Sequence, residues 1–258
     1  MNYISSIQNP IIKNLLLLQK KSRERKKQKS FVVEGKREIK RALMAGYTFK
    51  FILFVKDHHN SFKKFGKQIS SFVSVSSDLF NKITIRSGSE KFIGVGNSKT
   101  HNLDDLKTNN NGIYLIAESL EKPGNIGALL RTSAALDISA FILTNQKSDI
   151  YHPNVIRSSL GGVFSIPVFI SDSEAVIKYL KKNKIQIIST ALNKESRLYN
   201  KILYKKPFAI IVGNESNGLS ENWISNSSEI IKIPMKNNID SLNVSVAAAL
   251  ILNQSTHS

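Results

Sequence analysis

Three stretches of this chain combine residue types and spacings that can do chemistry. The first is Glu118-Ser119-Leu120-Glu121-Lys122-Pro123-Gly124-Asn125-Ile126-Gly127, with Arg131 shortly after it. Asn125 is placed to cap a helix, Gly124 and Gly127 leave the amide end open to an anion such as an RNA phosphate, and Arg131 adds a planar, permanently charged fork. A plain capped helix with a surface arginine is the alternative. The second stretch, Gly213-Asn214-Glu215-Ser216-Asn217-Gly218-Leu219, brackets an acid and two amides with glycines directly after the apolar run Phe208–Val212. Such glycines permit close backbone approach to a ligand, and Glu215 can meet a cation or a hydroxyl. The third stretch joins Ile233-Pro234-Met235 to Ser241-Leu242-Asn243-Val244-Ser245 and a run of alanines, whose small side chains equally suit a tightly packed helix.

Other chemistries lose support by what is missing. With no Cys there is no thiolate nucleophile, so chemistry through a covalent thiolate intermediate is excluded. Disulfides and Cys-ligated metals go as well. There is no Gly-Lys-Ser/Thr element and no Gly-x-Gly-x-x-Gly, which removes ordinary nucleoside-triphosphate and dinucleotide sites. No metal is expected, since no histidines stand at ligand spacing beside acids. His152, beside Pro153, reads as a helix cap, with RNA contact as the alternative. No apolar run approaches the roughly 20 residues of a membrane span, so the cytoplasm is the expected compartment.

The elements that must position these stretches follow from periodicity. Over the first hundred residues an amphipathic helix from Ile4 to Leu18, running on into a basic segment, precedes strands at Phe31–Val33, Phe51–Val55, Phe72–Val75 and Phe92–Val95. Polar residues 101–112 read as a linker, which sets domains at 1–105 and 111–258. Beyond it, apolar strands at Ile113–Ala117, Phe141–Leu143, Ile185–Thr190, Phe208–Val212 and Ile230–Ile233 alternate with helices, among them Ile126–Leu136 and Val244–Leu252. Strands buried on both faces between helices predict an α/β fold with a mostly parallel, doubly covered sheet. Ligands of such sheets bind beyond the carboxyl ends of the strands, where the three stretches fall.

Charge points to the partner. Residues 1–110 carry 22 basic and 8 acidic side chains, and residues 111–258 carry 15 and 11. Seven of the ten residues from Lys20 to Lys29 are basic, among them Lys26, Lys27 and Lys29, a density that repels itself unless a polyanion is near. Nucleic acid is the expected partner, a solvated basic helix the alternative.

In this order, Asn125-Ile126-Gly127 with Arg131, Gly213-Asn214-Glu215 with Gly218, and Ile233-Pro234-Met235 with Ser241–Ser245 resemble the SpoU (TrmH-type) RNA ribose methyltransferases of the SPOUT superfamily. Arg157-Ser158-Ser159-Leu160-Gly161 is similar to a further family segment, with Ser158 and Leu160 where alanine is common. Asn9–Lys13 and Phe31–Gly35 are similar to the family's ribosomal-protein-like RNA-binding domain, so the resemblance covers nearly the whole chain. It implies a C-terminal α/β-knot methyltransferase domain with a deep trefoil knot, a smaller N-terminal RNA-binding domain, a homodimer, and S-adenosylmethionine as cofactor. It also implies that Arg131, Asn125, Glu215 and Asn243 line the catalytic site and that Gly213, Ile233, Met235, Leu242, Thr190 and Ala191 hold the cofactor. Lys26, Lys27, Lys29 and Arg157 are then the candidates for RNA contact. The expected reaction is methylation of a ribose 2′-hydroxyl of 23S ribosomal RNA, with transfer RNA as the alternative substrate. A non-catalytic RNA-binding protein of the same fold is the competing class, and it has no need of the four polar residues together.

Overall fold

The computed structural model describes residues 2–55, 59–85, 91–237 and 239–256. The chain divides into two compact units: one gathers Met1–Thr100 with Asp149–Ser165, the other His101–Ser148 with Ile166–Ser258. This differs in one segment from a simple division near the linker, because Asp149–Ser165 packs with the N-terminal unit. Among the described residues, no helix is long and apolar enough to cross a membrane.

The first unit begins with β1 (Asn2–Ile4), α1 (Pro10–Lys20), α2 (Ser22–Lys27), β2 (Ser30–Glu34) and α3 (Lys36–Met44). It continues through β3 (Phe49–Phe54), β4 (Phe72–Val75), α4 (Ser77–Ile83) and β5 (Phe92–Asn97). The sheet runs in the order β1-β4-β3-β5-β2, parallel from β1 to β3 and antiparallel from β3 to β2. The expected helix from Ile4 to Leu18 starts later, at Pro10, and ends at Lys20. Asn9 caps it by accepting from Ile11 N at 2.9 Å, and Ile4 belongs to a strand paired with Val75. Lys21, in extended conformation, breaks it at the start of the basic segment and separates it from α2. The apolar stripe Ile12, Leu15 and Leu18 is fully buried against the sheet's core residues.

The basic segment is not a uniform solvated face. Lys26, Lys27 and Lys29 are exposed, whereas Arg25 is 2% exposed and pairs with Asp149 at 2.7 Å. Its Nη1 also donates to the Leu18 carbonyl at 2.7 Å. The returning segment is thereby fastened at its first residue. Tyr151 stacks on Phe31 at 5.1 Å, and Phe164 packs on Phe31 and Tyr47. Burial, and then the charge of Arg25, hold His152 below the usual imidazole range. A neutral ring suits its role here, since Nδ1 accepts from Asn154 N at 3.1 Å and caps the next helix.

The second unit opens with β6 (Ile113–Glu118), α5 (Pro123–Ala135) and β7 (Ala140–Thr144); the chain then visits the first unit as α6 (Pro153–Ser158). It returns through β8 (Val168–Ser171), α7 (Ser173–Lys182), β9 (Gln186–Thr190), β10 (Arg197–Leu198) and β11 (Phe208–Val212). The last elements are α8 (Glu221–Ser225), β12 (Glu229–Lys232) and α9 (Val244–Thr256). Seven strands lie in the order β10-β12-β9-β11-β6-β7-β8, every pair parallel. All residues of β6, β7 and β11 are buried, which is why these strands read as continuous apolar runs. Each fully buried Ile or Leu there contributes about 1.5–3 kcal/mol. Strand order reverses between β6 and β11, the switch point at which open parallel sheets place their ligands.

Candidate active site

The first chemistry-bearing stretch is built differently from its expected form. Proline at the first helical position starts α5 at Pro123, so Asn125 lies inside the first turn and Lys122 occupies the cap position without a side-chain cap bond. The Asn125 amide is therefore free of the helix end. It donates to Glu215 Oε1, while Lys122 Nζ donates to Glu215 Oε2. Asn243 Nδ2 completes the cluster, reaching Asn125 Oδ1 at 3.1 Å and Glu215 Oε1 at 3.3 Å. Side chains from the loops after β6 and β11 and before α9 thus meet on one carboxylate. Lys122 was not singled out from the sequence; its place directly before a helix-starting proline was the available signal.

The loop carrying Glu215 is held from below by a buried carboxylate that sequence reading also missed. Glu118, 4% exposed at the end of β6, accepts from Ser220 N at 2.7 Å, Ser220 Oγ at 2.8 Å and Ser173 Oγ at 2.9 Å. The indole of the fully buried Trp223 donates to the same Ser173 hydroxyl at 3.1 Å. Asn214 Nδ2 donates to the Ser119 carbonyl at 3.0 Å and closes the gap between the β6 and β11 loops. With Asn145 Nδ2 as a fourth donor at 3.4 Å, this buried carboxylate is an anchor, since removing it would strand those donors.

Beside the polar cluster lies a cavity of about 280 Å³ beyond the carboxyl ends of β9, β11 and β12, closed on one side by α9. Its walls include Thr190, Ala191, Gly213, Ile233, Met235 and Leu242, all six of the residues expected to hold a cofactor, with Glu215 at the edge. Asp240 and Ser241 add the polar side chains of the α9 loop. Arg131 stands apart from this assembly. It is exposed on α5, six residues beyond Asn125, about 9 Å along the axis and off the Asn125 face, without an ion pair or hydrogen bond to any described residue. Arg157 lies in the first unit on α6, exposed and beside Glu34 and Glu38.

A family model described as the SpoU rRNA Methylase family matches residues 112–253, more than half of the chain, and an MRM3-like substrate binding domain model matches residues 9–94. The chain belongs to the SpoU rRNA methylase family. Over 252 residues, 98% of each chain, it is 28% identical to the 23S rRNA (guanosine(2553)-2'-O)-methyltransferase RlmP of Bacillus subtilis. A crystal structure of an RNA 2'-O ribose methyltransferase matches with a TM-score of 0.85 at 32% identity, covering 99% of this chain and 98% of that one. An AdoMet-bound rRNA methyltransferase from Sinorhizobium meliloti matches with a TM-score of 0.92 at 25% identity, covering 99% and 97%.

This SpoU chain is a methyltransferase, and its methyl donor is S-adenosylmethionine. The cavity fits such a group: apolar walls from Leu192, Ile233, Met235, Leu242 and Ile251 suit an adenine ring, and the polar edge suits hydroxyls and a cation. Gly213 lines the cavity, and the loop that carries it also requires a residue without a side chain there. A Cβ there would stand 2.2 Å from the Gly218 carbonyl carbon and 2.6 Å from Leu219 N, inside the turn that the Asn214–Gly218 backbone pair closes. Gly213→Ala is therefore expected to displace the turn and lower S-adenosylmethionine affinity at least tenfold in a chain that retains native Trp223 emission. Calorimetric titration checks it, and unchanged affinity would show that the turn tolerates the side chain.

Proposed function

We infer that this chain transfers a methyl group from S-adenosylmethionine to a ribose 2′-hydroxyl of 23S ribosomal RNA in the cytoplasm. One observation carries the reading: in a SpoU family chain, the apolar cavity and the polar cluster from three loops meet at Glu215. The ribosomal target is favoured by the Bacillus subtilis relative, which is named for 23S rRNA, and by the match to a family described as rRNA methylases.

The bound cofactor supplies an electrophilic sulfonium methyl; the chain's residues do the rest by placement. Apolar walls exclude water from the donor side. Lys122, Asn125 and Asn243 fix the Glu215 carboxylate, and the hydroxyl proton passes to Glu215 or to solvent. Arg131 orients the phosphate and ribose and favours the alkoxide, but its guanidinium does not serve as base because it stays protonated. Holding the 2′-oxygen in line with the methyl supplies about 7–11 kcal/mol of the barrier.

In this reading residues 1–105 bind RNA and residues 111–258 carry the reaction, with Arg157 as a further candidate for RNA contact. The C-terminal part forms a deep trefoil knot, a reading supported by the convergence of the β9, β11 and β12 loops and α9 on one cavity. The chain works as a homodimer, supported by the exposed Val246 and Leu250, one turn apart on α9. Calorimetry with S-adenosylmethionine, and 2′-O-methyl mapping of the RNAs from a deletion strain, test the function. Loss of one ribosomal 2′-O-methyl supports it; intact ribosomal methylation with a lost transfer RNA methyl moves the target, and no heat with cofactor removes the reaction.

The exposed lysines of the first unit give a separate expectation. Changing Lys26, Lys27 and Lys29 to glutamine should weaken RNA binding and reduce the log–log salt slope by up to about 0.7–0.9 for each phosphate no longer neutralised. Affinity measured at two salt concentrations checks it, and an unchanged slope would make the segment a solvated face.

A further inference from the structure

The second unit has a second concave surface, at the opposite ends of the strands from the cofactor cavity. It is a groove of about 570 Å³ lined by Lys181, Lys184, Gln186, Lys205, Lys206 and Asn226, with Ser228 and Glu229 at the start of β12. Gln186 opens β9 in this groove and Thr190 ends it in the cavity, so the two lie about 13 Å apart along the strand. Lysines line this groove beside Ile185 and Ile187, where the cavity walls are mainly apolar.

Its electrostatics are one-sided. Glu229 is the only carboxylate in the lining, and both of its oxygens accept from Arg197 Nη1 at 3.1 Å, so its charge is already answered from outside the groove. Lys181 is accounted for by the C-terminal end of α7 and by its bond to Asn226 Oδ1. Lys184, Lys205 and Lys206 are exposed and have no ion-pair partner among the described residues. Three ammonium groups without a carboxylate repel one another and gain from a polyanion.

The scaffold holds them in place. Gln186 Oε1 accepts from Lys205 N at 2.7 Å and its Nε2 donates to the Leu203 carbonyl at 3.3 Å, tying the lysine-bearing loop to the start of β9. Lys184 sits with a φ of 53° just past the end of α7, a position that favours glycine or asparagine. A lysine there places a charge at the groove mouth against the conformational preference of the backbone.

We propose that this groove is a second RNA-binding surface, gripping a phosphate backbone segment of the substrate distinct from the one presented to the methyl donor. The inference rests on the reading of the chain as an RNA methyltransferase, which makes RNA the polyanion at hand. It also places phosphate contacts on the less basic part of the chain. Phosphate contacts there fix orientation and register and carry no base readout.

The test uses the full chain and a 23S ribosomal RNA transcript. Lys184, Lys205 and Lys206 are changed together to glutamine, with Lys107, Lys178 and Lys194 changed likewise as a charge-matched control on the same unit. The groove variant should bind at least tenfold more weakly at low salt, with a log–log salt slope reduced by up to about 0.7–0.9 for each phosphate left without its lysine, while the control keeps a larger slope. In the unaltered chain, amine labelling read by mass spectrometry should show Lys184, Lys205 and Lys206 protected by RNA. A groove variant indistinguishable from the control, or labelling of these lysines unchanged by RNA, overturns the groove and leaves the methyltransferase reading intact. An unaltered chain that binds no RNA overturns both.

Discussion

Arg131→Ala is expected to lower methyl transfer by about 100–1,000-fold, the cost of removing one placed donor from a transition state, while S-adenosylmethionine affinity stays within a few-fold. The separation follows from geometry. Arg131 is exposed, lines no part of the cofactor cavity, and makes no hydrogen bond to Asn125, Glu215 or Asn243. Its loss should not unfold the chain either, since an exposed side chain away from special features changes stability by less than about 0.5 kcal/mol. Arg131→Lys should also be poor, because a point charge cannot reproduce a planar fork on ribose and phosphate. Transfer of labelled methyl to a 23S ribosomal RNA transcript gives the rate, and calorimetry gives the affinity. A variant that loses cofactor binding first would move Arg131 to the donor side.

What the sequence made legible was the alternation of buried strands and helices and the three loops that follow them. β6, β7 and β11 are buried on both faces and have no polar face to disguise them. Short elements without a long apolar period escaped: β8, α8 with its buried Trp223, and β10. The six cavity residues share a wall because parallel strands deliver their following loops to one end, a rule that needs no coordinates. Partnerships are another matter. Glu118 finds Ser173 and Ser220 fifty-five and 102 residues away, and nothing local to Glu118 announces either. Asn125 carries every mark of a cap, yet Pro123 two residues earlier claims the helix start and frees the amide for Glu215.

The same limit governs the returning segment. Tyr151, Val155, Ile156 and Phe164 are apolar residues that any α/β unit could bury, so their order along the chain assigns them to the C-terminal part. The structure packs them on Phe31, Tyr47 and β2 instead. A fragment beginning near Asn110, which the division near the linker would present as self-contained, therefore carries an apolar segment stripped of its partners. Such a surface invites aggregation.

Arg25→Ala should show how tightly that segment is held. The substitution leaves the Asp149 carboxylate, 10% exposed, without its cation, and breaking one side of a buried pair costs about 3–5 kcal/mol. The pair itself is not an efficient stabiliser, because Arg25 Nη2 is buried with no partner in the protein. Replacing both members, as Arg25→Met with Asp149→Asn, removes the charges together and keeps an oxygen to accept from Tyr151 N, which now bonds Asp149 Oδ1 at 2.9 Å. The double variant should recover most of the loss. One property of the chain makes the measurement selective: its single tryptophan, Trp223, is fully buried in the second unit. Urea titration of Arg25→Ala should move an early transition in far-ultraviolet circular dichroism while the Trp223 emission midpoint stays near that of the unaltered chain. If both probes shift together by the same amount, the two units unfold as one, and the pair stabilises the whole chain instead of one segment.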